Sequence, residues 1–459
     1  MTKFEEFRNL YTEFIYDSYT ITETDDSVDV SYKFSIPGLS DFNPGWSFPK
    51  PAGMNIAGDL TFEKIAFSLG LAELISYWKC ACPPVIRVNC GELSESQILW
   101  WKKLWYLGLG EYFYRNQITT DIDSFCSIIP RGKFTNSNTP ELAPLNGCLV
   151  TIGGGKDSAL TIETLTQAGI DCRCYSINKR RSICATVETA GLPDSALITA
   201  QRRFDRTLVD INSRGFLNGH TPFASVVAFS AEAVAYLNRL QYIVLSNEAS
   251  ANESTVKGQD VNHQYSKSFE FERDFHDYEK IMGTGIYYFS FLRPLTEFQI
   301  AKMFVSHKKY LSIFRSCNLG SKVSPDIWCG DCPKCLFVCL ILSPFLSFGE
   351  LKAIFGKDML NDPAMEDYFT ELIGLSEHKP FECVGSIDEV NLAVTLAVMK
   401  AEKNGEKLPL LFENYKKTGL YDPKSAEKKN QDICAFYSNE NILPDSFREI
   451  LTKEMERLL

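Results

Sequence analysis

The feature that most constrains the fold is a run of three glycines between a short apolar segment and a helix-forming segment. Residues 149–152 (LVTI) have the composition of a buried strand, and residues 158–168 carry apolar side chains at helical spacing. Gly153, Gly154 and Gly155 lie between them. A strand that leads through a glycine turn into a helix is the first half of a βαβ unit, so it predicts an α/β fold built on a parallel sheet.

The residues of this turn indicate a site for a polyphosphate. Glycines let consecutive backbone N–H groups face an anion without a Cβ in the way, and the helix N-terminus adds partial positive charge. Lys156 adds a full positive charge, and Ser158 can hydrogen-bond a phosphate or the start of the helix. Asp157 indicates a Mg²⁺ ion held between its carboxylate and the phosphate oxygens. The alternative is a glycine-rich turn that binds no ligand.

The run 153–158 (GGGKDS) lacks the G-x-x-x-x-G-K-[ST] spacing of the common phosphate-binding loop. It resembles the PP-loop of the ATP pyrophosphatases, written S-G-G-x-D-S, with Gly153 where that family normally has serine. The resemblance implies a parallel-sheet domain of the adenine nucleotide alpha hydrolase type, with ATP and Mg²⁺ as ligands. It also implies cleavage of ATP between the α- and β-phosphates and transfer of AMP to a substrate oxygen.

Polar residues follow the later predicted strands of the same domain. The end of the second strand contacts adenine or ribose in PP-loop enzymes, and the resemblance carries this role to Ser176 and Asn178. Ser246 and Asn247 follow the predicted strand 242–245, at the carboxyl edge where open α/β sheets bind ligands. Arg293 opens the run 293–296 (RPLT), which resembles an element late in PP-loop domains. The alternative for each polar strand end is a solvated turn.

The pattern along the chain predicts two domains. Residues 1–140 mix aromatic strands with two helical segments, and we expect an N-terminal α+β domain there. Residues 141–459 are predicted to form the PP-loop domain, with a cysteine cluster at 317–335 and a helical C-terminal extension at 346–459. The segment 131–144 is rich in Asn, Thr and Pro and is interpreted as a linker.

Four of the fifteen cysteines have metal-ligand spacing. Residues 328–335 (WCGDCPKC) contain two overlapping C-x-x-C pairs, formed by Cys329, Cys332 and Cys335, and Cys317 lies twelve positions before Cys329. Four thiolates at these spacings can close a tetrahedral Zn²⁺ site. The arrangement resembles the four-cysteine zinc site of the cyano-deazaguanine synthases, another PP-loop family. The alternative is a tight turn of buried cysteines without a metal, and a structural role is expected in either case.

Three strings spread along the chain support a narrower resemblance. Residues 261–270 (VNHQYSKSFE), 328–335 and 381–389 (FECVGSIDE) together resemble the MurL family of ATP-dependent UDP-N-acetylmuramoyl-L-alanyl-L-glutamate epimerases, over most of the chain. The resemblance implies inversion of the terminal L-glutamate of UDP-MurNAc-L-Ala-L-Glu to D-glutamate in peptidoglycan synthesis. It further implies an acyl-adenylate and the release of AMP and pyrophosphate, so the partner is a small nucleotide-sugar dipeptide.

Candidate catalytic residues follow from that chemistry. Cys383 is a candidate acid or base, because thiols move the α-proton in cofactor-free amino-acid racemases; the alternative is an ordinary buried cysteine. Lys267 and Arg293 could hold the triphosphate or a substrate carboxylate, and the alternative is solvated surface charge. Lys156 and Asp157 are assigned to the adenylation step. The five histidines show no metal-binding spacing, and each is interpreted as an ordinary surface or core residue.

Charge and hydropathy argue against several classes of function. The net charge of −11, from 47 Lys and Arg against 58 Asp and Glu, disfavours a nucleic-acid partner. The longest clean apolar run, 336–342, is far shorter than a membrane span, and the first residues lack the layout of a secretory signal. We therefore expect a cytoplasmic protein without membrane association. Two rivals stay open: another PP-loop adenylating enzyme, such as a ligase or thiolase acting on a nucleobase or a small carboxylate, and a non-catalytic nucleotide-binding zinc protein.

Overall fold

A single mixed β-sheet runs through the computed structural model, which describes residues 2–258 and 261–459. The strands within these residues are β1 (Glu13–Glu23), β2 (Ser27–Ile36), β3 (Ser40–Phe42), β4 (Gly45–Pro49), β5 (Val85–Val88), β6 (Ser127–Pro130), β7 (Cys148–Thr151), β8 (Cys172–Ile177), β9 (Leu197–Arg203), β10 (Tyr242–Leu245) and β11 (Tyr287–Ser290).

The helices of the same residues cover this sheet and form a separate C-terminal layer. They are α1 (Lys3–Leu10), α2 (Leu60–Trp78), α3 (Glu95–Gly108), α4 (Gly110–Arg115), α5 (Lys156–Gln167), α6 (Arg181–Thr189), α7 (Thr207–Ser213), α8 (Phe223–Leu237), α9 (Phe269–Met282), α10 (Glu297–Ser306), α11 (Pro333–Leu342), α12 (Phe348–Phe355), α13 (Glu366–Leu372), α14 (Ile387–Asn404), α15 (Leu410–Tyr415), α16 (Pro423–Ala435) and α17 (Asp445–Leu458). Across the described residues, none of these helices combines the length and apolarity needed to cross a membrane.

The five strands β7 to β11 form a parallel unit with the order β11-β10-β7-β8-β9. Helices connect successive strands, which confirms the predicted α/β class. The chain runs outward from β7 to β8 and β9, and then returns to place β10 on the other side of β7. Ligands of open α/β sheets bind where the strand order reverses in this way, outside the carboxyl ends of the strands. The glycine run after β7 lies at that point.

The sheet continues into the N-terminal part of the chain. Strand β4 pairs antiparallel with β9, in the register Gly45↔Arg203, and β2, β1, β5 and β6 follow beyond it. Buried Glu73 in α2 ties the two parts together, because it accepts hydrogen bonds from Trp46 at 2.8 Å and from Arg202 at 2.7 Å. The domain boundary near residue 140 stays a prediction, but the sheet and its hydrogen bonds cross it.

Two long apolar helices form the centre of the larger core. Helices α2 and α8 pack against each other, and almost every residue in each is buried. A helix that is apolar on all sides is stable only when it is covered on all sides, and the sheet and its neighbouring helices provide that cover. A second core is formed by α10 to α16 around α11, directly after the cysteine cluster. The catalytic candidates lie between these two cores.

Candidate active site

The three glycines form the turn between β7 and α5. Gly154 has a φ of +84°, and a Cβ there would lie 2.5 Å from Ser182 Oγ, so the position requires glycine. Gly153 has nothing within 4 Å of the position that a Cβ would occupy, which leaves open space beside the turn. Gly155 precedes α5 without a side-chain hydrogen bond to cap the helix. An uncapped helix start beside open space suits an anion.

The Lys156 ammonium is buried and already paired. Its Nζ contacts the carboxylates of Asp157 and Glu297, and the side chains of Lys156 and Glu297 are each 2% exposed. Burial raises the pKa of Glu297 to about 8, against the opposing effect of Lys156. Lys156 therefore fastens the turn to α10, whereas the sequence suggested a charge directed at a phosphate. The Asp157 side chain is 27% exposed and is the member of this group that a solvated Mg²⁺ ion could reach.

The other predicted nucleotide contacts lie along the same edge of the sheet. Each forms a hydrogen bond within the protein: Ser158 to the Gly155 carbonyl at 3.2 Å, Ser176 with Thr199 at 3.5 Å, Asn178 from the Arg202 amide at 3.2 Å, Ser246 to Thr161 at 2.9 Å and Asn247 to Ser290 at 3.0 Å. These bonds orient the side chains at the edge. A role in binding adenine or ribose stays a prediction for all of them.

Arg293 is not available to a ligand, which corrects its interpretation as a contact to triphosphate or to a substrate carboxylate. Its side chain is fully buried and pairs with Glu272 at 2.8 Å. The guanidinium also donates to the carbonyls of Glu248 at 2.7 Å and Lys267 at 2.5 Å. Because a guanidinium carries five donors in a fixed fork, one side chain can hold several segments at once. Arg293 therefore positions Lys267.

Cys383 lies in the loop before α14 and is contacted by cationic side chains. Lys267 Nζ donates to Cys383 Sγ at 3.0 Å, and His263 hydrogen-bonds the same sulfur. Lys334, in the first turn of α11, donates to the Cys383 carbonyl. Cys383 as a residue is partly exposed. Gly385, two residues after Cys383, packs against Glu297, the partner of Lys156, so the Cys383 loop lies next to the start of α5.

A glutamate and two histidines extend this cluster, and the sequence did not predict them as site residues. His263 Nδ1 lies 2.5 Å from Glu111 Oε2, and His220 Nδ1 lies 3.7 Å from the same oxygen. The two imidazole rings are 4.3 Å apart between centroids. His263 belongs to the string 261–270, four residues before Lys267. Its place in a string that carried the family resemblance is the signal that could have singled it out.

The electrostatic environment decides which groups of the cluster hold a proton. Burial acts to raise the pKa of the Cys383 thiol, but Lys267 and His263 lower it to about 6. Burial acts to lower the pKa of His263, but Cys383 and Glu111 raise it to about 9. Burial and the neighbouring His263 lower the pKa of His220 to about 3. At neutral pH the cluster therefore holds a thiolate, an imidazolium and a neutral second histidine.

Glu111, His220 and His263 also have the composition of a metal site, with ligand atoms within 4.8 Å of one another. A metal at about 2.1 Å from each ligand atom would hold those atoms about 3 Å or more apart. The distance of 2.5 Å between His263 and Glu111 is instead that of a direct hydrogen bond. Since His263 also contacts Cys383, the geometry favours proton transfer over metal binding.

The four cysteines predicted as zinc ligands come together in the structure. The Sγ atoms are 3.8 Å apart for Cys317 and Cys332, 3.7 Å for Cys329 and Cys335, and 3.5 Å for Cys332 and Cys335. A tetrahedral zinc with Zn–S bonds of about 2.3 Å requires edges of about 3.8 Å. The donor set and its geometry fit this metal. Cys317, Cys329 and Cys332 precede α11, and Cys335 lies in its first turn together with Lys334.

Comparison with family models gives two matches that together span most of the chain. The model described as the MurL N-terminal domain matches residues 5–291. The model described as the MurL C-terminal domain matches residues 313–422. No solved structure matches the chain.

Three curated relatives carry the name UDP-N-acetyl-alpha-D-muramoyl-L-alanyl-L-glutamate epimerase. The protein from Micromonospora sp. is 35% identical over 398 residues, which are 83% of this chain and 86% of the relative. The protein from Salinispora tropica is 37% identical over 344 residues, 73% of each chain. The protein from Xanthomonas oryzae pv. oryzae is 35% identical over 343 residues, 73% of this chain and 74% of the relative.

Proposed function

The chain belongs to the MurL family, and from that membership we propose that it is an ATP-dependent epimerase of peptidoglycan synthesis. Its proposed reaction is inversion of the terminal L-glutamate of UDP-MurNAc-L-Ala-L-Glu. The name shared by the relatives supports this substrate. The observation in this chain that carries the proposal is Cys383, a partly exposed residue whose thiol is held by cations beside an anion-compatible glycine turn. Such a thiol suits the removal of a proton from carbon.

ATP has a chemical purpose in this reaction. Removing the α-proton next to a free carboxylate places a second negative charge on an existing anion, which makes the step very unfavourable. Transfer of AMP to the glutamate α-carboxylate gives a mixed anhydride without that charge and releases pyrophosphate. The α-proton of the anhydride is then acidic enough for a protein base to remove, which gives the enolate. Hydrolysis of the anhydride after inversion releases AMP.

Each part of the site has a role in this scheme. The backbone N–H groups of 153–155 and the uncapped start of α5 would face the phosphates, and Asp157 would hold a Mg²⁺ ion, which would supply positive charge against them. Cys383 acts as the acid or base at the α-carbon. Lys267 balances the charge of the thiolate and lies toward Asp157, so it links the nucleotide end of the site to the proton-transfer end.

We also propose a structural zinc ion bound by Cys317, Cys329, Cys332 and Cys335. These four cysteines would hold the ion and so fix the start of α11, whose second residue, Lys334, donates to the Cys383 carbonyl. The ion would thus act on the reaction only through the position of the Cys383 loop.

The overall charge supports a small, nucleotide-linked substrate over a nucleic acid. A chain with a net charge of −11 repels a phosphate backbone, whereas the cations around Cys383 are local and enclosed. We place the reaction in the cytoplasm, where ATP is available.

The test is incubation with ATP, Mg²⁺ and UDP-MurNAc-L-Ala-L-Glu, followed by chiral analysis of the glutamate and measurement of AMP and pyrophosphate. We expect D-glutamate together with both nucleotide products. Asp157→Asn should abolish pyrophosphate release. Asp171→Asn removes an exposed carboxylate just before β8, at the opposite edge of the sheet, and should leave it unchanged. AMP without D-glutamate would support a different adenylating enzyme, and inversion without ATP would refute the adenylation step.

A further inference from the structure

Resting on the proposed epimerase function, we infer that Cys383 and His263 are the two proton-transfer groups of the inversion and that Glu111 positions His263. Cys383 removes the α-proton of the activated L-glutamate, and His263 delivers a proton to the opposite face. Glu111 acts through the imidazole and does not touch the substrate.

The geometry gives His263 two fixed partners. Its Nδ1 is hydrogen-bonded to Glu111 Oε2 at 2.5 Å, and the ring also hydrogen-bonds Cys383 Sγ. Arg115 holds the second oxygen of the same carboxylate at 2.5 Å, which fixes Glu111 in turn. A thiol, an imidazole and a carboxylate in this chain have the order needed to move a proton and to orient the group that moves it.

Other nearby groups are less suited to the second role. Lys267 contacts the sulfur, but the charge of Cys383 raises the pKa of Lys267, so the ammonium is a stable countercharge instead of a proton donor. His220 faces Glu111 but is neutral, because burial and His263 lower its pKa to about 3. The remaining charged groups that face the pair are Lys79 beside His220, Lys334 beside Cys383 and Glu382 beside His263.

The proposed cycle neither gains nor loses a proton. The resting pair is a thiolate and an imidazolium. Abstraction gives a thiol and the enolate of the glutamyl adenylate, and protonation of the opposite face leaves a neutral imidazole. The α-carbon of the bound substrate lies between the two groups during the reaction and separates them. After product leaves, their hydrogen bond forms again and the thiol proton passes to the imidazole, which restores the resting pair for the next L-substrate. No oxidant, reductant or further co-reactant is needed.

The experiment compares His263→Gln, Cys383→Ser and a control, His276→Gln, in D₂O with ATP, Mg²⁺ and the L-dipeptide substrate at pH 8.5. His276 lies on α9 against the Tyr287 ring, with 4.6 Å between ring centroids, and belongs to neither proton-transfer group. Three quantities are measured: pyrophosphate release in a single turnover, deuterium at the glutamate α-carbon, and the fraction of D-glutamate. The high pH keeps the thiol ionised when the imidazolium is absent.

All variants should release pyrophosphate. His263→Gln should incorporate deuterium into L-glutamate while inversion falls at least about 100-fold, the typical contribution of a general acid. Cys383→Ser should neither exchange nor invert, and His276→Gln should do both at the wild-type rate. Inversion by His263→Gln within tenfold of wild type, or exchange by Cys383→Ser, would overturn the inference. Loss of exchange in His263→Gln with normal pyrophosphate release would overturn it as well.

Glu111→Gln tests the positioning role separately. Glu111 helps to raise the pKa of His263, so His263 should lose its proton at a lower pH in this variant. The alkaline limb of the plot of inversion rate against pH should therefore shift to lower pH than in wild type. Glu111→Asp should restore that limb, whereas an unshifted limb would show that Glu111 is only structural. Failure of the wild-type protein to release pyrophosphate with this substrate would instead refute the proposed function, and the inference with it.

Discussion

The burial of Lys156 predicts a pH-dependent loss of stability when its charge is removed. In Lys156→Met the Glu297 carboxyl group keeps its buried position, 2% exposed, but loses the ammonium that pairs with it. Without that partner the pKa of Glu297 rises beyond the value of about 8 that burial already produces. At pH 7 Glu297 is protonated in both folded proteins. Above pH 8 it ionises in the folded wild type but keeps its proton in the folded variant, whereas the unfolded chain ionises this group with its ordinary pKa of 4.5.

The magnitude follows from the proton that folding must bind. Below pH 8 this proton has the same effect on the stability of both proteins, so the difference between them appears only above pH 8. Each pH unit above that value is worth up to about 1.4 kcal/mol, so at pH 9 the variant is less stable than wild type by about 1.4 kcal/mol. The sign follows because a group with a raised pKa in the folded state stabilises that state at low pH and loses this effect as the pH rises. With an unfolding entropy of about 2.1 cal/mol/K per residue over 459 residues, the loss at pH 9 lowers Tm by about 1.5 °C.

The assay is thermal unfolding of wild type, Lys156→Met and the double variant Lys156→Met/Glu297→Gln at pH 7 and pH 9. The double variant replaces both charges by neutral groups of similar size, so it should recover most of the stability and lose the pH dependence. A single variant with the same Tm deficit at both pH values, or a double variant that is no more stable than the single one, would refute the reasoning.

Four further predictions concern the site. Gly154→Ala should abolish ATP binding measured by calorimetry, because its Cβ would lie 2.5 Å from Ser182 Oγ. The side chain of Gly153→Ser would occupy open space, so this variant should still bind ATP. Equal ATP affinities of the two variants would contradict this prediction. Elemental analysis should find about one zinc per chain, and less than half of that in Cys335→Ser, while a metal-free folded protein would exclude the zinc site. The inversion rate should rise through about pH 6 as Cys383 ionises and fall above about pH 9 as His263 loses its proton. An inversion rate that does not change between pH 5 and pH 7 would argue against the thiolate. Deuterium exchange at the glutamate α-carbon should require ATP, and an analogue blocked between the α- and β-phosphates should support none; equal exchange with both would remove adenylation as the activating step.

The elements that the sequence predicted accurately are those with apolar runs and clear ends. Strand Tyr242–Leu245 has the predicted bounds, and strand Cys148–Thr151 and helix Lys156–Gln167 lie within two residues of the predicted 149–152 and 158–168. Strand Leu197–Arg203 was missed because its second half is polar (QRR). The Arg202 side chain is only 15% exposed and pairs with Glu73, 129 residues earlier in the chain. An ion pair between residues so far apart in the chain leaves no pattern in the local sequence.

The same contrast separates the two halves of the site. The glycine turn is contiguous in sequence, so its strand, its turn and its helix could be predicted together. The sequence could not predict where the Lys156 side chain points, because its partner Glu297 is 141 residues away. The interpretation of Arg293 as a ligand contact failed for the same reason. The sequence does not show that its guanidinium already donates to Glu272 and to two backbone carbonyls.

The proton-transfer cluster also assigns a role to the N-terminal part of the chain. Glu111 comes from residues 1–140, whereas His263, Lys267 and Cys383 come from the segment predicted as the PP-loop domain. The hydrogen bond between Glu111 and His263 can form only if the two parts keep a fixed relation, and the β4–β9 pairing and the buried Glu73–Arg202 ion pair supply one. A segment with no catalytic signal in its own sequence thus contributes the carboxylate that orients the imidazole. In the proposed mechanism the N-terminal region is therefore part of the site, in addition to its share of the core.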